Sequence, residues 1–347
     1  MRGAGALCAV LWLLLSLALG DAGYLFASSP PKKAVYYARL LTASEQARDE
    51  HMKWGIIMQA GHLEQPMGVA VDSFRRLLYV ADPGSSAVLA MYFSEDHSKP
   101  GHLSVDAAHV VLSNIKVHWV AVDSKGSLFC SDSIGSRIWH LPVALVLARL
   151  EGASAEDSSV EPTELHSAEG LAPVVEPQGL AVNGLHVFWA NGQGGKADGA
   201  VVRGPQEHSL YVPVHYEQLA NSTDGAYGIC LSGSRIFFTD AAARVYSIRP
   251  DGSDLVTVTQ DLQEPRGCAY DGDGTIFIAD AALGAVYSFS GGGMDCSARP
   301  VSRAFMVPGA YGLAVSTSRA AARGLAAFVV PGLLAACGLL PRRALER

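Results

Sequence analysis

The sequence predicts an all-β protein, a six-bladed β-propeller of four-stranded blades, and three observations predict it. One pattern of short strands recurs six times. Those strands are apolar without clean alternation, and the strands missing after the last copy are found at the other end of the chain.

The pattern is plainest in PRGCAYDGDGTIFIADAALGAVYSFS, residues 265–290: a glycine, an apolar run, a polar turn, a second run ending in an acidic residue, and a third run. It recurs as PMGVAVDSFRRLLYVADPGSSAVLAMYF from Pro66, HWVAVDSKGSLFCSDSIGSRIWHL from His118 and PQGLAVNGLHVFWANG from Pro177. Two further copies are AYGICLSGSRIFFTDAAARVYSIRPDGSD from Ala226 and the partial AYGLAVS from Ala310. A glycine leads five copies (Gly68, Gly179, Gly228, Gly267, Gly312), and Trp119 takes that place in the second. From Gly68 to Gly312 the mean period is about 49 residues, the size of a propeller blade.

Within each copy the first strand reads like GVAVD or GLAVN and the second like LLYVAD, RIFFTD or TIFIAD. Such nearly continuous apolar runs belong to strands buried on both faces, which a radial array supplies because every blade lies between two others. Glycine at the head of the innermost strand admits close approach of neighbouring backbones at the axis. AVLAMYF, RIWHL, RVYSI and AVYSF supply third strands; HVVLSN, SLYVPV and LVTVTQ read as weaker fourth ones.

The sixth copy has no second, third or fourth strand after it. The N-terminal segment YLFASSPPKKAVYYARL matches LYVADPGSSAVLAMYF, so 24–27 and 34–40 are expected as second and third strands and 54–59 (WGIIMQ) as the fourth. One C-terminal and three N-terminal strands then close the last blade and leave no open edge in the ring.

RIFFTDAAARVYSIRPDGSD resembles the YWTD repeat of low-density-lipoprotein-receptor-type propellers, with Phe237 to Asp240 at the YWTD position, and the shorter PxGLAVD copies are similar to NHL repeats. The resemblance covers roughly 24–316. It implies six blades on a fold that hosts receptors, scaffolds and a few enzymes, so function must be read from sites.

Outside the repeats, MRGAGALCAVLWLLLSLALG reads as a secretory signal over 1–20, with an uncleaved anchor as the alternative. The propeller is expected over 21–318 and an apolar tail over 319–347. Its stretch 324–340, followed by Arg342, Arg343 and Arg347, is at the short limit for a spanning helix with a cytoplasmic basic end. A glycolipid-anchor signal and a soluble helix remain alternatives, the charged ending speaking against the former and Pro331 against the span. Asn221-Ser222-Thr223 is an N-glycosylation acceptor in the secretory pathway. The expected location is therefore the cell surface, the lumenal side of a membrane, or secretion.

A net charge of −7 without a basic cluster sets nucleic acid aside as a partner. After signal cleavage Cys130, Cys230, Cys268, Cys296 and Cys337 remain, an odd number without regular spacing. The first three lie in apolar runs as small core residues, so packing is expected to hold the fold, with no disulfide framework and at most an incidental bridge. The acidic segment 151–169 reads as a flexible loop, with an acidic docking site for a partner as the alternative.

Asp82, Asp132, Asn191, Asp240 and Asp280 each close a second strand. Recurrence at one repeat position favours caps for neighbouring N–H groups over a converging calcium shell. No cofactor, metal or catalytic residue is expected. The rival is a propeller hydrolase or lyase, lactonase-like or amidating-lyase-like, with a metal in the central channel; the histidines, however, scatter without ligand spacing.

Binding is expected at the channel mouth, where the residues preceding each leading position gather: Met67, His118, Gln178, Tyr227, Arg266 and Tyr311, the alternative being that they only line a solvent-filled axis. Arginine offers a planar fork for a carboxylate, and tyrosines are amphipathic anchors. The expectation is an extracellular or lumenal protein or peptide that presents an acidic side chain to Arg266 and Tyr227.

Overall fold

The computed structural model describes residues 23–41, 53–59, 61–96, 98–99, 101–152, 161–170, 172–192, 200–207, 214–221, 224–291 and 299–317. The expected signal and tail lie outside them.

Six four-stranded antiparallel sheets follow one another around a ring. Blade 1 comprises Val69–Asp72, Leu77–Asp82, Ala87–Glu95 and His109–Ser113, from the axis outward, with the short strand Leu103–Val105 on the far end of its third strand. Blade 2 is Val117–Val122, Leu128–Asp132, Arg137–Leu141 and Thr163–Ser167. Blade 3 is Pro177–Val182, His186–Asn191, Ala200–Pro205 and Glu217–Asn221. Blade 4 is Ala226–Ser232, Arg235–Asp240, Val245–Ile248 and Val256–Thr259. Blade 5 is Pro265–Tyr270, Thr275–Asp280, Ala285–Ser290 and Ser302–Met306.

Blade 6 closes as the sequence predicts. Leu313–Ser316 pairs with Tyr24–Ser29, which pairs with Ala34–Arg39, and Trp54–Met58 lies outermost. Tyr24 faces Ser316 across this seam, so both ends of the ring leave on one side. The first-to-second and third-to-fourth strand connections share that side, including the longest, 40–53, 96–108 and 142–162.

Three expectations are corrected. Within 151–169 the structure places the outer strand Thr163–Ser167, preceded by the helix Val143–Leu150, which buries Leu145, Val146 and Leu150. An outer strand has a wet edge, so its polar composition hides it among loop residues. In blade 3 the fourth strand is Glu217–Asn221 rather than SLYVPV; of that segment, 209–213 fall outside the described residues and Val214 lies in no strand. Lastly, Cys230 and Cys268 are not merely small core residues: they form a disulfide between the inner strands of blades 4 and 5, an incidental bridge of the kind the sequence allows, while Cys130 is free and buried. Cysteines on different blades meet only once those blades pack side by side, which their separation in sequence does not reveal.

Two-sided burial is visible residue by residue. Leu77, Tyr79 and Ala81 enter the cluster shared with blade 2, while Leu78 and Val80 enter the one shared with blade 6. Phe237 faces blade 5 and its neighbour Phe238 faces blade 3. Six such clusters fill the six blade junctions. Each fully buried Leu or Phe contributes about 1.5–3 kcal/mol, so alternate residues of one strand stabilise two interfaces.

At the axis, a Cβ on Gly228 or Gly267 would collide with backbone of the next blade: Arg266 and Gly267 for the former, Tyr311 and Gly312 for the latter. The stitching there alternates. In blades 2, 4 and 6 a buried hydroxyl of the second strand donates to the carbonyl heading the next blade: Ser131 to Gln178 (2.8 Å), Thr239 to Arg266 (2.6 Å) and Ser28 to Met67. Blades 1, 3 and 5 carry Ala81, Ala190 and Ala279 at that position. There the leading amide bonds the next blade directly in blades 1 and 5: Gly68 N–H donates to His118 O (2.9 Å) and Gly267 N–H to Tyr311 O (2.8 Å). The ring thus has a two-blade period.

Candidate functional site

The inner strands begin on the side opposite the chain ends, and the connections there are anchored by the residues that close each second strand. Asp82 accepts the N–H groups of Glu64 and Gln65, both at 2.7 Å. Asp280 accepts those of Gln263 (2.7 Å) and Leu283 (2.8 Å), and Asn191 Oδ1 that of Val175 (3.0 Å). Asp240 accepts Arg244 N–H (3.0 Å) and pairs with its guanidinium, and Asp132 accepts Gly135 N–H (2.8 Å). These groups, buried except for the half-buried Asp132, satisfy loop amides and so hold the rim of the mouth in place.

On that rim Tyr227, Arg266 and Tyr311 come together from blades 4, 5 and 6. The Arg266 guanidinium lies 4.0 Å from the Tyr227 ring centroid and 5.9 Å from that of Tyr311, both cation–π distances. Glu264 binds its Nη2. Burial works against the Arg266 charge, but the bonds from Tyr227 and Glu264 outweigh it and hold the pKa above its ordinary value. Burial, opposed by Arg266, pushes Tyr311 up to about 12.

Tyr311 also meets Trp119 with ring centroids 5.6 Å apart. Trp119 belongs to blade 2 and Tyr311 to blade 6, with blade 1 between them, so this contact reaches over the axis. Trp119 thus stands at the leading position where the other five copies carry glycine, and its ring is what meets Tyr311.

The remaining mouth residues are placed differently. Gln178 is half-buried and turns its amide to Ser133 Oγ (3.2 Å) and Glu176 O (3.3 Å). Met67 is buried, its N–H donating to Ala81 O and its carbonyl accepting from Ser28. His118 is half-buried, with its Nδ1 shielded and without a hydrogen-bond partner. Burial lowers its pKa, with Asp132 acting in the opposite sense.

Trp119 and Glu264 are the members of this cluster that sequence reading does not pick out. The departure from glycine at position 119 is a signal for the first; for the second there is none beyond its place two residues before Arg266. Asn221 ends the outer strand of blade 3 and is exposed. Among the described residues, no group of three or more His, Cys, Asp or Glu side chains is arranged to hold a metal ion.

No protein-family model and no curated protein matches the sequence. The structure is similar to a chain in the crystal structure of a nidogen/laminin complex, with a TM-score of 0.61 and 14% identity over 85% of this chain and 99% of that one. A 6-phosphogluconolactonase candidate from Bacteroides fragilis aligns with a TM-score of 0.54 and 13% identity over 86% and 99% of the two chains. One from Bacteroides uniformis aligns at 0.55 and 10% over 85% and 99%. These likenesses establish the fold. The chain is a six-bladed β-propeller whose structural neighbours include a chain of a two-protein complex and candidate lactonases.

Proposed function

We propose that this propeller is a binding module of the secretory pathway, cell-surface or lumenal, whose channel mouth docks an extracellular or lumenal protein or peptide. The observation that carries the reading is the Tyr227–Arg266–Tyr311–Trp119 cluster. Tyrosine, tryptophan and arginine are the residues that dominate protein interfaces. Here they are stacked across the mouth and already ordered, which lowers the entropy cost of docking a partner on them.

Placement supports the same reading. Both ends of the ring and the longest connections lie on the opposite side, so a chain anchored by its tail would present the mouth outward. Exposed Asn221 suits a glycan on the rim of blade 3. The likeness to a chain of a nidogen/laminin complex adds a fold-level analogy with a protein that assembles with another. Membrane attachment through 319–347 and the YWTD or NHL relationship belong to this proposal.

The test places a photo-crosslinking amino acid at Ile134, 71% exposed beside Ser133 and Gln178 on the mouth side, or at Phe74, 73% exposed on the opposite side. In the full chain, expressed through the secretory pathway, a protein adduct is expected from position 134 and not from 74. An adduct from 74 alone would overturn the assignment of the docking face.

A further inference from the structure

Arg266 is the one guanidinium of the mouth cluster, and Glu264, two residues ahead of it, already occupies it. The geometry points to Glu264 as an internal stand-in for a partner's carboxylate. It covers Arg266 in the free protein and is displaced when an acidic side chain or chain terminus docks. This rests on the reading of the mouth as a docking face.

Three features support it. The backbone of Glu264 is held rather than free, since its N–H donates to both oxygens of the fully buried Asp280, at 3.2 and 3.3 Å. Its carboxylate is therefore presented to Arg266 from a fixed loop. Secondly, Glu264 takes Nη2 only. Nε, the second donor of the same side-on fork, is shielded from solvent and has no acceptor. Buried donors without partners are rare and call for an explanation. A carboxylate reaching both Nε and Nη2 would make the bidentate contact that Glu264 does not. Thirdly, the Glu264 side chain is 44% exposed against 16% for Arg266, so it can turn into solvent while the guanidinium stays clamped between Tyr227 and Tyr311.

Glu264 would then set specificity as well as affinity. A neutral amide gains nothing by displacing a carboxylate from a guanidinium, whereas a carboxylate exchanges like for like and gains the Nε bond. The aromatic clamp keeps Arg266 in position throughout, so recognition needs no rearrangement of the ring.

The experiment uses the full chain as parent, Glu264→Gln, Arg266→Lys and the double variant, with fluorescein-labelled hexaglutamate as the probe and hexaglutamine as the control. Phenylglyoxal modification of Arg266, followed by peptide mass mapping, reports its accessibility without any ligand. Glu264→Gln is expected to bind hexaglutamate about fivefold tighter and to speed modification of Arg266 by a similar factor, the scale of one partly exposed ion pair. Arg266→Lys should abolish the gain in the double variant, and hexaglutamine should bind no form.

If Arg266→Lys weakens hexaglutamate binding while Glu264→Gln changes neither readout, the stand-in role is overturned and the docking face survives. If Glu264→Gln speeds modification yet no form binds hexaglutamate, acidic recognition at the mouth falls, and the role of Glu264 with it. Unchanged modification together with no binding overturns both.

Discussion

Thr239 passes a hydrogen bond from blade 4 to blade 5: its Oγ1 accepts the N–H of Gly228 at 2.9 Å and donates to the carbonyl of Arg266 at 2.6 Å. Thr239 is fully buried, so no water substitutes for it. Thr239→Val keeps the shape and removes both bonds, leaving a buried donor and a buried acceptor unpaired. A loss of about 2 kcal/mol in urea unfolding is expected. Because the same carbonyl heads the strand that positions Arg266, binding at the mouth should weaken too. Unchanged stability would show that the hydroxyl relay contributes nothing.

The disulfide crosses the same junction. Cys230 lies three residues after Tyr227 and Cys268 two after Arg266, and the bridge closes a loop with a sequence separation of 38. Removing a link over such a loop costs about 4 kcal/mol in the chain-entropy model. The double variant Cys230→Ala/Cys268→Ala should therefore unfold at lower denaturant than the parent, and reductant should shift the parent but not the variant. Identical midpoints for oxidised and reduced parent would refute a stabilising bridge.

Blade 6 makes a prediction about cooperativity. Three of its four strands come from residues 24–58, and Ser28 N–H, at 3.0 Å from Gly312 O, adds to the side-by-side pairing with Leu313–Ser316. Deleting 24–59 exposes the faces of blades 1 and 5 that pack against blade 6. The truncated chain should lose its cooperative melting transition altogether instead of melting a few degrees lower. A sharp transition near the parental temperature would rule out closure by these strands.

His118 links the mouth to pH. Burial holds its imidazole below the ordinary pKa of about 6.5, so near and below that value the unfolded chain binds a proton that the folded protein resists. Its contribution is complete above about 6.5 and is lost as pH falls through that value towards the lower folded pKa. His140 and His186 are shifted in the same direction, also chiefly by burial. Melting temperature should thus drop between pH 7 and pH 5, and His118→Gln should flatten part of that slope. Parallel profiles for the two proteins would show that His118 is not coupled to folding.

Much of the ring is legible in the chain because its cause is local and repeated. Leading glycines at a mean period of about 49 residues mark the inner strands, and runs such as LLYVAD and RIFFTD mark strands buried on both faces. The match of YLFASSPPKKAVYYARL to blade 1 reveals how blade 6 closes. Outer strands are less legible. Thr163–Ser167 and Glu217–Asn221 each have one edge in solvent, so polar residues dilute the apolar pattern.

The sequence by itself determined the number of blades, their innermost strands, the interlocked seam and the six residues at the head of those strands, since all follow from composition repeated along the chain. Only the tertiary structure decided which of the six meet. Arg266 stacks on Tyr227 and Tyr311, Trp119 reaches Tyr311 across the axis, and Cys230 finds Cys268. A strand buried on both faces does not declare in its pattern which neighbour each side chain will face. The partners belong to different blades, and the packing of those blades around the axis sets the distances between them.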